Sequence, residues 1–355
     1  MHFLQELGET MKSRQQFCLL QVFSLVLTVA AWLLALGAAQ AQQTKAPTKL
    51  PLPAASPPPT RIVTQGLGKT IIEDLIPCAV NEPGMNIRKN PVGEIVAKDG
   101  TKITVPAATN FQTGPKLPDL YNECARVTPK SLAEVDLSKI PIVEIDKDGE
   151  VVTGFLVGDN YFELYVNGKL VGVDATPFTP FNSHVVKFRV KRPYTIAILA
   201  QDWEDKLGLG MELFQGNPWH SGDGGFAAKF SDGTVTNSTW KAQSFYIAPL
   251  AHPDDVVEYG NIHDTSRLGR IHPLAKLPTC REFCFAIHYP IPDGWTAPGF
   301  DDSNWPQAFE YLDEEVGVAP IPAYWRFPEA FMGSRWIWTI NLVFDNTVLL
   351  RKTVR

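Results

Sequence analysis

A chain of 355 residues with 45% hydrophobic content and a formal net charge of -6 is long enough to bury a sizeable core. It carries no cationic excess for a phosphate backbone, so nucleic acid is not expected as a partner.

The elements follow in chain order. Lys12 and Arg14 precede an apolar run from Phe17 to Leu36, and Gly37 to Ala41 supplies small residues in an A-x-A pattern. Residues 1–41 read as a secretory signal cut after Ala41. The mature chain is then secreted or periplasmic, with no stable membrane span. Cleavage removes Cys18 and leaves Cys78, Cys124, Cys280 and Cys284. An even number in an exported chain points to disulfides, and three pairings are open. Cys78–Cys124 and Cys280–Cys284 are favoured; a C-x-x-x-C zinc half-site at the second pair is the alternative, with no matching second half visible.

Residues 42–60 are rich in Pro, Ala, Ser and Thr and read as an extended linker. Residues 61–140 read as a small loop-rich, disulfide-linked region. Its clearest feature is a hairpin from Glu94 to Val105, turning at Asp99-Gly100 with Val96 opposite Ile103.

From residue 141 to 355 the β signal is dense. Asp148-Gly149, Asn167-Gly168 and Asp232-Gly233 each sit between alternating segments, the pattern of a hairpin turn. In the hairpin DNYFELYVNGKLVGVD, Leu164 is expected opposite Val171 and Phe162 opposite Val173 on the core side. Tyr165 is expected opposite Leu170 and Tyr161 opposite Asp174 on the other side. Further strands are expected at His184–Val190, Tyr194–Gln201, Ala242–Ile247 and Phe283–His288, and as a terminal pair Arg335–Asn341 and Thr347–Val354. No stretch sustains a helical period. The fold class is all-β: an antiparallel β-sandwich or jelly roll with a small loop-rich N-terminal region.

Three segments, NYFELYVNGKLVG, GFDDSNWPQA at 299–308 and SRWIWTINLVFDNTVLLRKTVR at 334–355, together resemble galactose-binding-like jelly-roll modules. These are accessory β-sandwich domains of secreted glycosidases such as bacterial rhamnosidases. The resemblance spans roughly 150 to 355; residues 61–140 are too few for a glycosidase domain, so the chain is expected to be a free-standing binding module or to carry its activity within the sandwich. The resemblance identifies no ligand-contacting residue by position.

A sugar site needs an aromatic face for the pyranose C–H surface and carboxylates or amides for its hydroxyls. The long segment QDWEDKLGLGMELFQGNPWHSGDGG offers Asp202, Trp203, Glu204, Trp219, His220 and Asp223 as ligand-binding candidates. Its acids could also hold Ca²⁺, which takes oxygen ligands. AHPDDVVEYG at 251–260 resembles the A-H-P-D-D-E motif of zinc-dependent deacetylases, which would make His252 and Asp255 metal ligands and Asp254 a base. Val256 stands where that motif has Glu, and no H-x-x-H follows. Asn237-Ser238-Thr239 is a glycosylation acceptor sequence. The expectation is therefore an exported, non-catalytic, lectin-like protein bound to a glycan or envelope component. A structural or adhesive envelope protein is the alternative, with a metal-dependent hydrolase behind both.

Overall fold

The computed structural model describes residues 61–72, 75–78, 87–89, 92–176, 182–214, 216–260, 262–272, 274–318 and 321–355. These all fall in one compact unit. The expected signal at 1–41 and linker at 42–60 lie outside the described residues.

The molecule is an all-β sandwich of two seven-stranded sheets. Its strands are β1 (Ile62–Gln65), β2 (Asp119–Tyr121), β3 (Ile142–Glu144), β4 (Glu150–Asp159), β5 (Tyr161–Val166), β6 (Lys169–Val173), β7 (Ser183–Val190), β8 (Tyr194–Gln201), β9 (Gly225–Phe230), β10 (Lys241–Leu250), β11 (Phe285–His288), β12 (Phe309–Tyr311), β13 (Trp336–Trp338) and β14 (Asp345–Val354). The first sheet runs β1-β11-β10-β14-β8-β5-β6. The second runs β12-β13-β9-β4-β7-β2, with β3 also on β7. Pairing is antiparallel except for β3, which lies parallel to β7.

Alternation decides which side chains meet between the sheets. Phe162, Leu164 and Val166 of β5, Ile196 and Ile198 of β8, and Val348 and Leu350 of β14 are buried from one side. Leu156, Phe188, Phe226, Ala228 and Phe230 are buried from the other. Aromatic edges interlock: Phe162 meets Phe226 at 5.2 Å and 65°, and Phe188 meets Phe230 at 6.1 Å and 64°. Such edge-to-face pairs add to the burial of the rings themselves.

The β5–β6 hairpin turns at Asn167 and Gly168, with φ of +50° and +82°, the left-handed pair that a type I′ turn requires. Tyr165 pairs Leu170 as expected, but a bulge beyond it sets Leu164 opposite Gly172 and Glu163 opposite Val173. The extra residue is Val171, which still buries its side chain. On the other face Glu163, fully buried, accepts from Tyr161 Oη at 2.8 Å, Tyr165 Oη at 2.5 Å and Asn110 Nδ2 at 2.8 Å. Phe111 closes over Tyr161. This face is therefore an interior polar cluster.

Four sequence expectations are corrected. The 93–105 hairpin pairs Ile95 with Ile103 and exposed Val96 with Lys102. Its loop has three residues, closed by Ala97 N–H to Thr101 O and Gly100 N–H to Ala97 O, so the register moves by one and Ile95 takes the buried side. Asp148-Gly149 makes a turn but no hairpin. The backbone N–H groups of Ile145 and Asp146 both donate to Arg189 O, which draws β3 onto β7. The two closing strands are not partners: β13 joins the second sheet and β14 the first. Asn341 holds the crossover, its Oδ1 accepting from Val343 and Phe344 N–H. Lastly, the region 61–140 is not separate, since β1 pairs β11 and β2 pairs β7. Such short strands carry too little alternation to be read locally.

Both favoured disulfides form, Cys78–Cys124 and Cys280–Cys284. Among the described residues no helix is long and apolar enough to cross a membrane.

Candidate functional site

At one end of the sandwich the chain leaves β8 at Gln201, passes through residues 202–210, and forms a small hairpin from Met211–Phe214 and Asn217–Ser221 before entering β9. Glu212 pairs with His220 across this hairpin, and His220 Nδ1 lies 3.8 Å from Glu212 Oε1. His220 sits between two rings: Phe214 at 4.6 Å and His272, stacked, at 5.1 Å. His272 Nε2 is 2.9 Å from Ser221 O, a carbonyl, so that nitrogen carries the proton and donates. Burial holds the His272 imidazole below its ordinary pKa. Phe214 remains 46% exposed, so the row of three rings presents an open aromatic end.

Beneath this row lie carboxylates. Asp202 directly follows β8, Asp159 ends β4 opposite Gly225, and Asp223 lies in the turn that feeds β9. Asp159 and Asp202 are buried, and the Oδ2 of each has no hydrogen-bond partner among the described residues. The Asp202 carboxylate lies so close to Gly222 that a Cβ there would fall 2.4 Å from Oδ2. Burial comes first in raising the pKa of all three acids, and mutual repulsion adds to it. Asp159 is raised well above its usual range, with Asp223 and Glu212 contributing. Asp202 is raised likewise, with Glu212, Asp159 and Asp223 contributing. Asp223 is pushed up to about 7, with Glu212 adding to burial and His220 opposing it. Acids raised in this way hold their protons more readily than free carboxylates, and a protonated carboxyl both donates to and accepts from a hydroxyl.

The structure thus unites Asp202, His220 and Asp223 from the expected set, and adds Asp159, Glu212, Phe214 and His272. The remaining candidates serve the fold. Trp203 is 2% exposed and packs with Phe111 on the Cys78–Cys124 disulfide. Its backbone N–H donates to Asn160 Oδ1 at 2.7 Å. Glu204 is buried and accepts from Gly208 N–H, Gly210 N–H and Tyr246 Oη at 3.1, 2.6 and 2.8 Å. Burial lifts its pKa to about 7 against those donors. Trp219 neighbours His220 on one strand and so points to the opposite face. There it packs beside Leu209, Met211 and the Cys280–Cys284 disulfide, under the Lys206 ammonium at 5.0 Å.

The HPDD segment is a capped 3₁₀ turn at Pro253–Asp255: Asp255 Oδ2 accepts from His252 N–H at 2.9 Å, and Asp255 N–H donates to His252 O. Capping accounts for the residue pattern. His263 and His288 are engaged elsewhere, His263 with Ser244 O and His288 with Thr64 Oγ1, each at 2.9 Å. Among the described residues no three of His, Cys, Asp or Glu are placed to hold a metal ion.

Comparison with protein-family models, curated proteins and solved structures finds no match for this chain.

Proposed function

We propose that this chain is an exported, non-catalytic carbohydrate-binding protein of galactose-binding-like type. Its sugar site is the aromatic row Phe214–His220–His272 together with the acids below it. The carrying observation is the half-exposed Phe214 ring, tilted at 35° against His220 with centroids 4.6 Å apart, next to Glu212 and the raised-pKa Asp223. A pyranose presents an apolar C–H face and a ring of hydroxyls, and this juxtaposition offers a partner to each. Two disulfides support export, being bonds that persist in oxidising compartments.

The test is a glycan array probed with residues 42–355, alongside Phe214→Ala and Asp223→Asn. Both positions lie at the mouth of the site, so the variants should fold. Binding is expected to weaken about tenfold or more in each, the loss of one stacking or charged hydrogen-bond contact. It should survive a calcium chelator, in keeping with the side-chain placement. A silent array, or variants that bind like the parent, would reject the reading and favour an adhesive envelope protein.

A further inference from the structure

A second cleft, of about 700 Å³, opens where the end of β14 meets the turn after β9. Its cationic side chains are Arg192, Lys241, Arg351, Lys352 and Arg355, against the side-chain carboxylates of Asp232 and Asp302, and Arg192 Nη1 also donates to Arg355 O at 2.7 Å. Each carboxylate already has a guanidinium: Arg192 Nη2 lies 2.8 Å from Asp232 Oδ2, and Arg351 Nε lies 2.8 Å from Asp302 Oδ2. Lys241, Lys352 and Arg355 have no carboxylate in ion-pair range among the described residues.

Neutral oxygens position the two lysines. Lys241 Nζ donates to Trp305 O at 2.7 Å and Ser303 O at 3.3 Å. Lys352 Nζ donates to Thr239 Oγ1 at 2.6 Å and Thr239 O at 3.4 Å. An ammonium has three donors, so each lysine is held in place with charge uncompensated and a hydrogen still to give. Arg351 forms a rigid wall behind them, 1% exposed and also bonded to Ala297 O and Trp295 O. A chain of net charge -6 that gathers five cations around one concavity focuses positive potential there. Burial lowers the Lys352 pKa, as it does for an ammonium without a counterion.

We infer that this cleft is an oxyanion-binding site, taking a sulfate or phosphate group, free or esterified to a sugar, in the concavity that Lys241, Lys352 and Arg355 line. The site is separate from the carboxylate loop and does not depend on it. Its compact volume suits a single anionic group on one or two sugar rings, not a strand tracked along a groove.

The experiment uses protein made in a host that does not glycosylate Asn237, which borders the cleft. Dextran sulfate, neutral dextran, inorganic sulfate and inorganic phosphate are titrated against the parent, the double variant Lys241→Gln/Lys352→Gln, and Lys147→Gln as an exposed control outside the cleft. The parent should bind dextran sulfate and not neutral dextran, with affinity falling as salt rises. The double variant should lose about tenfold or more while melting at the parent temperature, and the control should match the parent. Competition by inorganic sulfate or phosphate identifies a pocket for the free ion, whereas retention of dextran sulfate alone identifies the esterified group. Equal binding of dextran sulfate and neutral dextran by the parent would overturn the inference. So would a double variant that binds like the control.

Discussion

Glu163 and Asp202 are both buried carboxylates, yet their surroundings give them opposite roles. Glu163 is enclosed by phenol and amide donors, while Asp202 keeps an oxygen without a partner and presses against Gly222. A buried acid with donors fixes the structure around it; one without them is a group in want of a ligand or a proton. Introducing charge where no donor exists is far worse. Leu164→Asp, in the apolar layer facing β9, should abolish cooperative unfolding, and a variant that still melts like the parent would disprove the inward orientation of Leu164. The closeness of Gly222 to Asp202 is testable in the same way. Gly222→Ala should cost about 1–3 kcal/mol in urea denaturation, the range for forced overpacking. In an Asp202→Ala background most of that cost should vanish. Strict additivity of the two substitutions would show that the carboxylate does not sit where described.

At the scale of elements, the two disulfides close loops of very different length, with sequence separations of 46 and 4. Chain entropy makes the longer closure worth about 4 kcal/mol and the shorter about 2 kcal/mol. Replacing both cysteines of a pair by Ala should therefore lower stability more for Cys78–Cys124 than for Cys280–Cys284; the reverse order would show that native contacts, and not loop closure, dominate. The hairpin elements also show what sequence can and cannot supply. Asn167-Gly168 and the alternation around it disclosed a turn, two strands and the buried set Phe162, Leu164, Val171 and Val173, because those signals are local. The Val171 bulge and the three-residue loop at 98–100 turn on which neighbouring residue accepts each N–H, and the capture of β3 by β7 on a strand far along the chain; alternation encodes neither. The site divides along the same line. Asp202, His220 and Asp223 were legible as polar residues in one long loop. Asp159 and His272 come from 42 or more residues away and carry no local mark. Trp203 and Trp219 were read as a sugar platform because their composition cannot reveal that disulfides cover them.

For the whole molecule, the shifted groups set a pH profile. Glu204, Asp223 and Asp345 are each raised to about 7, chiefly by burial, so the folded state holds protons that the unfolded chain releases near pH 4. Their contribution to stability falls as pH rises through that interval. His184 is also raised, Asp174 and Asp119 outweighing its burial, and its contribution is likewise lost with rising pH. His263 and His288 are lowered to about 4 by burial; they act in the opposite sense, but only below about 6.5, where the unfolded imidazole charges. Between pH 6.5 and 7.5 the raised groups dominate, and the melting temperature should fall; burial lowers Lys116 to about 8, and it acts in the opposite sense above that. Glu204→Gln should flatten that decline, and an unchanged slope would show that Glu204 does not titrate there.

The position of β14 in the first sheet has a consequence for biogenesis. It lies between β10 and β8, both of which a ribosome finishes first, so each waits with an unpaired edge until residues 345–354 emerge. Partial chains of this length would offer two open edges to any other nascent chain. Productive folding is therefore confined to the interval after synthesis of the closing strand, and a chaperone that shields β8 and β10 until then would raise the yield of native protein.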